Sequence, residues 1–305
     1  MSEFCFVIHT DNHLSAHKDE DTYYWNRMLH SRAREIMDVA IGDTNTLRPD
    51  FTVHCGDLTD DSEPDSFCIA AEIMSQLNCP LYFVPGNHDT WVNGSRELVA
   101  ELMDLGAPPF FREVEHEGWR LLFMDTAYWV YKDKSVHDHI DWKRYHDMYM
   151  PDSQVDWVRT VLDKDPEKPT ICFAHSLLAI RDDYPIGRMP EGQCIEQGAE
   201  MIAGDLCTNP RLKPLIASYP CVKAFFCGHG HFHDCLVENG TLYCQTASLT
   251  EYPVEIRQVR VTSDSISVQA LPLTRGNFSD LSYMPQWNNT WTAGRQIDRC
   301  YCHHF

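Results

Sequence analysis

The polar side chains Asp11, His13, Asp57, Asn87, His88, His175, His229 and His231 bring together carboxylates, imidazoles and one amide oxygen. Such a mixed oxygen and nitrogen set suits Zn²⁺, Mn²⁺, Fe or Co²⁺ better than Ca²⁺ or an ion that selects thiolates. Asp11 with His13, and His229 with His231, stand two residues apart, a spacing that turns both members of a pair to one face of an extended segment. So many donors exceed one tetrahedral site. Two ions about 3.5 Å apart, with a carboxylate as bridge, would use the whole set. An isolated Asp or His is ordinarily a hydrogen-bonded turn residue; the weight rests on these occurring together.

The elements that must position them can be read from the same stretches. Five apolar runs of strand length each end in one of the polar clusters: "FCFVIHTDNH", "FTVHCGD", "LYFVPGNHD", "TICFAHS" and "AFFCGHGH". Continuous apolar runs suit central strands buried on both faces, and ligands of an open α/β sheet bind beyond the carboxyl ends of its strands. Amphipathic stretches between the runs predict helices over Trp25 to Ile41, Asp65 to Leu77, Ser95 to Leu105 and Ser153 to Leu162, with a broken helical region from Gly198 to Tyr219. Strand and helix alternate, which predicts an α/β layered fold. Hairpins are expected at "FFREVEHEGWRLLFMD", at "HDCLVENGTLYCQT" with its Asn-Gly turn, and at "VEIRQVRVTSDSISVQALPL". These added antiparallel strands are what two sheets covered by helices would need. Residues 274–305 show little periodicity and are read as an irregular C-terminal extension of a 1–273 domain.

Composition narrows the partners. A formal charge of -20 at pH 7 argues against a surface that tracks DNA or RNA. No apolar stretch approaches a membrane span, and the start lacks the pattern of a secretory signal. The 13 cysteines are an odd number, and many lie in apolar runs, as Cys55, Cys172 and Cys227 do, so a reducing cytoplasm is expected.

The five motifs resemble the calcineurin-like metallophosphoesterases, whose pattern is D-x-H, G-D-x-x-D, G-N-H-[DE], H and G-H-x-H. Here it reads "DNH" at Asp11, "GDLTD" at Gly56, "GNHD" at Gly86, His175 in "AHS" and "GHGH" at Gly228, in the family's order. One departure is that "LLAI" follows "AHS", where family members often carry proline. The resemblance implies a four-layer αββα sandwich, two mixed β-sheets flanked by helices. It implies that Asp11, His13 and His231 hold one metal, that Asn87, His175 and His229 hold the second, and that Asp57 bridges. His88 would face the substrate phosphate as transition-state stabiliser or general acid, Asp89 would orient that imidazole, and Asp60 would back a metal-bound histidine.

The expected activity is hydrolysis of a small phosphodiester by in-line attack of a hydroxide held at two divalent or mixed-valence transition-metal ions, Fe, Mn, Zn or Co. The branch in view includes class III cyclic-nucleotide and glycerophosphodiester phosphodiesterases. A phosphomonoesterase or nucleotide pyrophosphatase would use the same site, and a non-catalytic metal-binding scaffold is the remote alternative. A homo-oligomer is compatible with the sequence. Tyr23, Trp25, Trp91, Tyr128, Trp129 and Tyr252 are candidates for pocket walls, although each is more often an ordinary packing aromatic. Their loops carry few cations apart from Arg181, which favours a diester over a doubly charged monoester. "HDH" at His137 to His139 is read as a solvated loop, and "CYCHHF" at the end as a disordered or surface-docked segment whose spacing matches no structural zinc pattern.

Overall fold

The apolar runs form the centres of two six-stranded sheets in a computed structural model that describes residues 3–103, 105–106, 108, 110–181, 207 and 209–305. In one sheet, β1 (Phe4–His9) lies parallel to β2 (Phe51–His54), which is parallel to β3 (Leu81–Phe83). In the other, β4 (Arg112–His116) and β5 (Trp119–Phe123) form a hairpin, and β6 (Thr170–Phe173) and β7 (Val222–Cys227) continue the sheet in parallel. The hairpin β8 (Asp234–Glu238) and β9 (Thr241–Gln245) completes that sheet, with β9 parallel to β7. On the free side of β1 run the antiparallel strands β10 (Glu255–Val261), β11 (Ser265–Pro272) and β12 (Cys300–His304). Both sheets are therefore mixed.

Strand β1 shows why the runs are continuous rather than alternating. Phe4, Phe6 and Ile8 point between the sheets, where they meet Phe123, Phe173 and Phe226 of the opposite sheet, while Val7 points outward to Ile36 and Ala40. Each fully buried phenylalanine there contributes about 1.5–3 kcal/mol. Helices α1 (Ala33–Leu47), α2 (Pro64–Met74) and α3 (Ser95–Leu102) cover one outer face, and α4 (Asp152–Lys164) and α5 (Leu212–Ala217) cover the other. The order of layers is αββα, as expected from the sequence.

Boundaries moved where tertiary structure took residues for another task. The helix expected from Trp25 begins only at Ala33, because Thr22–Tyr23 and Arg27–Met28 pair as a short hairpin. That helix runs on to Leu47 and ends at Arg48 in a left-handed conformation, φ 51°. Of the broken helical region read from Gly198, the described part begins at Cys207 and contains α5; the remainder lies outside the described residues. The C-terminal segment, read as irregular, carries α6 (Phe278–Ser282), α7 (Gln296–Arg299) and the edge strand β12. Its five-residue alternation lacks β-branched residues, and β11 supplies the partner that makes it a strand. No helix among the described residues is long and apolar enough to cross a membrane.

Candidate metal centre

All five polar clusters meet at the carboxyl ends of β1, β2, β3, β6 and β7, beside a cavity of about 350 Å³. Five of the seven donors sit at positive φ: Asp11 53°, His13 46°, Asp57 53°, His229 76° and His231 60°. Left-handed backbone at non-glycine residues costs free energy and persists only where the surroundings hold it. At the ends of β1, β2 and β7 the chain turns sharply, so that the next side chain is thrown toward a common point. Two glycines let the turns close. An added Cβ at Gly86 would overlap the Asp57 carboxylate, and one at Gly228 would overlap the Thr10 hydroxyl.

The donors fall into two groups. Asp11 Oδ1 lies 3.4 Å from His231 Nε2 and 3.9 Å from His13 Nε2, and the two imidazole nitrogens are 3.0 Å apart. His175 Nε2 lies 2.9 Å from Asn87 Oδ1, and Asp57, His175 and His229 place ligand atoms within 4.8 Å of one another. Asp57 stands between the groups. Its Oδ1 accepts the His88 backbone N–H at 2.8 Å, while its Oδ2 is 3.7 Å from His13 Nε2 and 3.3 Å from His175 Nε2.

Contacts behind the rings decide which nitrogen faces inward. His13 Nδ1 meets Asp60 Oδ1 at 3.0 Å, His231 Nδ1 meets Glu251 Oε2 at 2.7 Å, and His175 Nδ1 meets the Cys55 carbonyl at 2.7 Å. With each Nδ1–H donated outward, the Nε2 lone pairs converge on one another and on acceptor oxygens. Lone pairs at 3.0 Å need a cation between them, either a proton or a metal ion, so the donor set fits bound metal. Burial works against protonating His175 and His231, yet Asp57 and Asp11 outweigh it and raise their pKa to about 9 and about 10. Burial, with repulsion from neighbouring rings, lowers His13 to about 4 and His229 to about 3.

His88 lines the cavity, with its ring over Trp91 at a centroid distance of 3.8 Å and edge-on to His13 at 4.5 Å. Burial opposes a charge on it, but Asp57 and Asp60 outweigh that effect and raise its pKa. Asp89 does not meet the His88 ring as the sequence led one to expect. Asp89 accepts backbone N–H groups of Gly86, Leu58 and Thr59, which ties the β2 and β3 turns together. His88 Nδ1 instead meets the Asp60 carbonyl at 3.0 Å, with Asp60 Oδ1 3.4 Å away. A carboxylate one residue along the turn points back into the turn, where unpaired N–H groups collect.

Of the aromatic candidates, Tyr23 lines the cavity. Trp25 is fully buried beneath it, donating to the Gly230 carbonyl at 2.8 Å and packing on Trp291. Trp91 backs His88, Trp129 packs with Tyr131, Ile140 and Met148, Tyr128 lies under the Arg96 guanidinium, and Tyr252 packs on Tyr283. His137 stacks on Tyr131 and His139 meets Asp138, and among the described residues neither belongs to a three-donor cluster. Arg181 pairs with Asp234. Among the described residues the lysine or arginine that lines the cavity is Lys18, which sequence reasoning missed, as it missed Thr22, Tyr24, Met28 and Glu251. Lys18 carried a signal, a base five residues beyond His13 in an acid-rich run. Glu251 carried another, as the one carboxylate in "TASLTEYP".

Comparison with known proteins bears on this arrangement. The family model for calcineurin-like phosphoesterases matches residues 6–233. A glycerophosphodiester phosphodiesterase of Enterobacter lignolyticus is 26% identical over 221 residues, 69% of this chain and 68% of that protein. The 3′,5′-cyclic adenosine monophosphate phosphodiesterase of Escherichia coli K12 is 25% identical over 245 residues, 78% of this chain and 74% of that protein. A dimetal phosphatase from Danio rerio shares the fold, with a TM-score of 0.62 at 14% identity, covering 88% of this chain and 95% of that one.

Proposed function

The chain belongs to the calcineurin-like phosphoesterase family, and we propose that it hydrolyses small phosphodiesters at a two-metal centre. In this reading Asp11, His13 and His231 hold one ion, Asn87, His175 and His229 hold the other, and Asp57 bridges them. The observation that carries it is the single oxygen of Asp57 that faces both groups, 3.7 Å from His13 Nε2 and 3.3 Å from His175 Nε2. Divalent Zn, Mn, Fe or Co would supply positive charge to the phosphate oxygens and lower the pKa of an attacking water.

The remaining steps belong to the chain. The His88 backbone N–H fixes Asp57 Oδ1 and so leaves Oδ2 for the bridge. With Nδ1 given to Asp60, His88 Nε2 is the atom that donates to the oxygen leaving phosphorus. The face of Trp91 limits the swing of that ring. Tyr24 and Met28 give the cavity an apolar wall for the second substituent of a diester. The two relatives, a glycerophosphodiester phosphodiesterase and a cyclic AMP phosphodiesterase, support this substrate class. Residues 1–273 would form the catalytic unit, with 274–305 bracing it through Trp291 against Trp25.

A monoesterase or nucleotide pyrophosphatase is the second reading, favoured by Lys18 at the cavity. Metal-loaded protein assayed on bis-(p-nitrophenyl) phosphate, cyclic AMP and a glycerophosphodiester tests the first reading. Turnover of p-nitrophenyl phosphate or a nucleoside diphosphate derivative, with none of the diesters cleaved, would replace it with the second.

A further inference from the structure

We infer that Lys18 is a specificity-determining residue whose ammonium binds negative charge that a phosphate ester carries beyond the single charge of a diester. This rests on the two-metal reading above. Among the described residues lining the cavity, Lys18 is the one lysine or arginine, in a chain with a formal charge of -20. Its place is built rather than incidental. Ser15 Oγ donates to Asp61 Oδ2 at 2.6 Å and accepts the backbone N–H groups of His17 and Lys18 at 3.0 and 3.1 Å. Ser66 Oγ donates to the same Asp61 oxygen at 3.0 Å and accepts the Ala16 N–H at 2.9 Å. The turn from residue 15 to 18 is thereby pinned to the start of α2, and the Lys18 side chain reaches back to an ion pair with Asp60 Oδ2.

Asp60 is the residue that orients both His13 and His88, so the ammonium stands beside the bond-breaking end of the site. Its side chain is 43% exposed. An ammonium has three N–H donors and swings on a flexible stem, and one carboxylate oxygen engages only one of them. The Asp60 carboxylate is buried while the ammonium is exposed, so the donors that Asp60 does not engage are open to a phosphate oxygen, which shares the charge without breaking the pair. A monoester dianion, whose second negative charge a diester lacks, gains from this contact.

The test uses p-nitrophenyl phosphate and methyl p-nitrophenyl phosphate, which share a leaving group and differ by one charge, on metal-loaded protein. In Lys18→Gln the ratio of kcat/KM for the monoester to that for the methyl ester should fall at least about tenfold, the span of one charge-assisted hydrogen bond, and Lys18→Arg should restore most of it. Calorimetric binding of orthophosphate and of dimethyl phosphate supplies a readout without turnover. Lys18→Gln should weaken orthophosphate at least about tenfold more than dimethyl phosphate. Equal losses on both partners would assign Lys18 to holding Asp60, and no loss on either would remove it from recognition; either outcome overturns the inference. Wild-type protein that binds orthophosphate through Lys18 yet cleaves none of the esters would sink the hydrolase reading while leaving this one standing.

Discussion

The two halves of the candidate metal centre are built differently, and the contrast bears on how each would hold an ion. On the Asp11 side, the imidazoles of His13 and His231 are each backed by a carboxylate, Asp60 and Glu251. On the Asn87 side, His175 is backed by a neutral backbone carbonyl, and one of the expected donors is an amide. A carboxylate behind an imidazole makes the ring more basic and fixes its direction, and it adds negative charge that a carbonyl does not. The Asp11 side should therefore fill first and bind more tightly, with Asp57 as the one anionic group common to both.

The largest effect is expected where the halves join. Asp57→Asn should lower kcat/KM by about 10³-fold or more, a loss of several kcal/mol of charge stabilisation, and leave fewer than two ions per chain. Two tightly held ions in that variant, measured by elemental analysis after dialysis, would remove the bridging role. Next comes His88, whose ring lies within ligand distance of His13 and Asp57 and so has two candidate roles. If it serves the leaving group, His88→Ala keeps both ions and loses roughly 10²–10⁴-fold on esters with poor leaving groups, and less on nitrophenyl esters. Loss of an ion instead would make it part of the Asp11 side.

A smaller change isolates the asymmetry itself. Glu251→Gln should weaken the tighter of two binding steps by about 10–100-fold, bringing it toward the weaker one, whereas Asn87→Ala should weaken only the second step. A metal titration in which both variants affect the same step would show the halves to be equivalent. The smallest signal is a heat. In the ion-free protein His175 and His231, with pKa values raised to about 9 and about 10, are protonated at pH 7, so an entering ion must expel those protons. Binding should thus strengthen as pH rises from 6 to 8, and calorimetry in buffers of different ionisation enthalpy should report proton release. Heats independent of buffer would contradict this assignment of the charges.

Much of the site could be read in the chain because its donors follow strands. An apolar run bounded by a polar cluster is a local pattern, and the carboxyl ends of neighbouring strands lie together in any such sheet. The central strands of the two large sheets, and the meeting of their polar clusters at one place, were legible for that reason. Asp60 was legible as a partner for a histidine, though not as the hub that also positions His88 and Lys18. Asp89 was misread because a carboxylate adjacent in sequence to an imidazole looks like its partner, while the unpaired N–H groups of two turns compete for it more effectively.

What the sequence determined by itself was the inventory: which apolar runs form the central strands and which polar side chains end them. Tertiary structure alone decided the pairings. Glu251 reaches His231 across 20 residues, His175 meets Cys55 O across 120, and His229 N bonds Asp11 across 218. The positive φ angles at five donors, the Lys18 turn tied to Asp61, and the edge strand Cys300–His304 have no local signature. Periodicity and turn chemistry act over a few residues, whereas these contacts depend on where distant loops come to rest once the two sheets have packed.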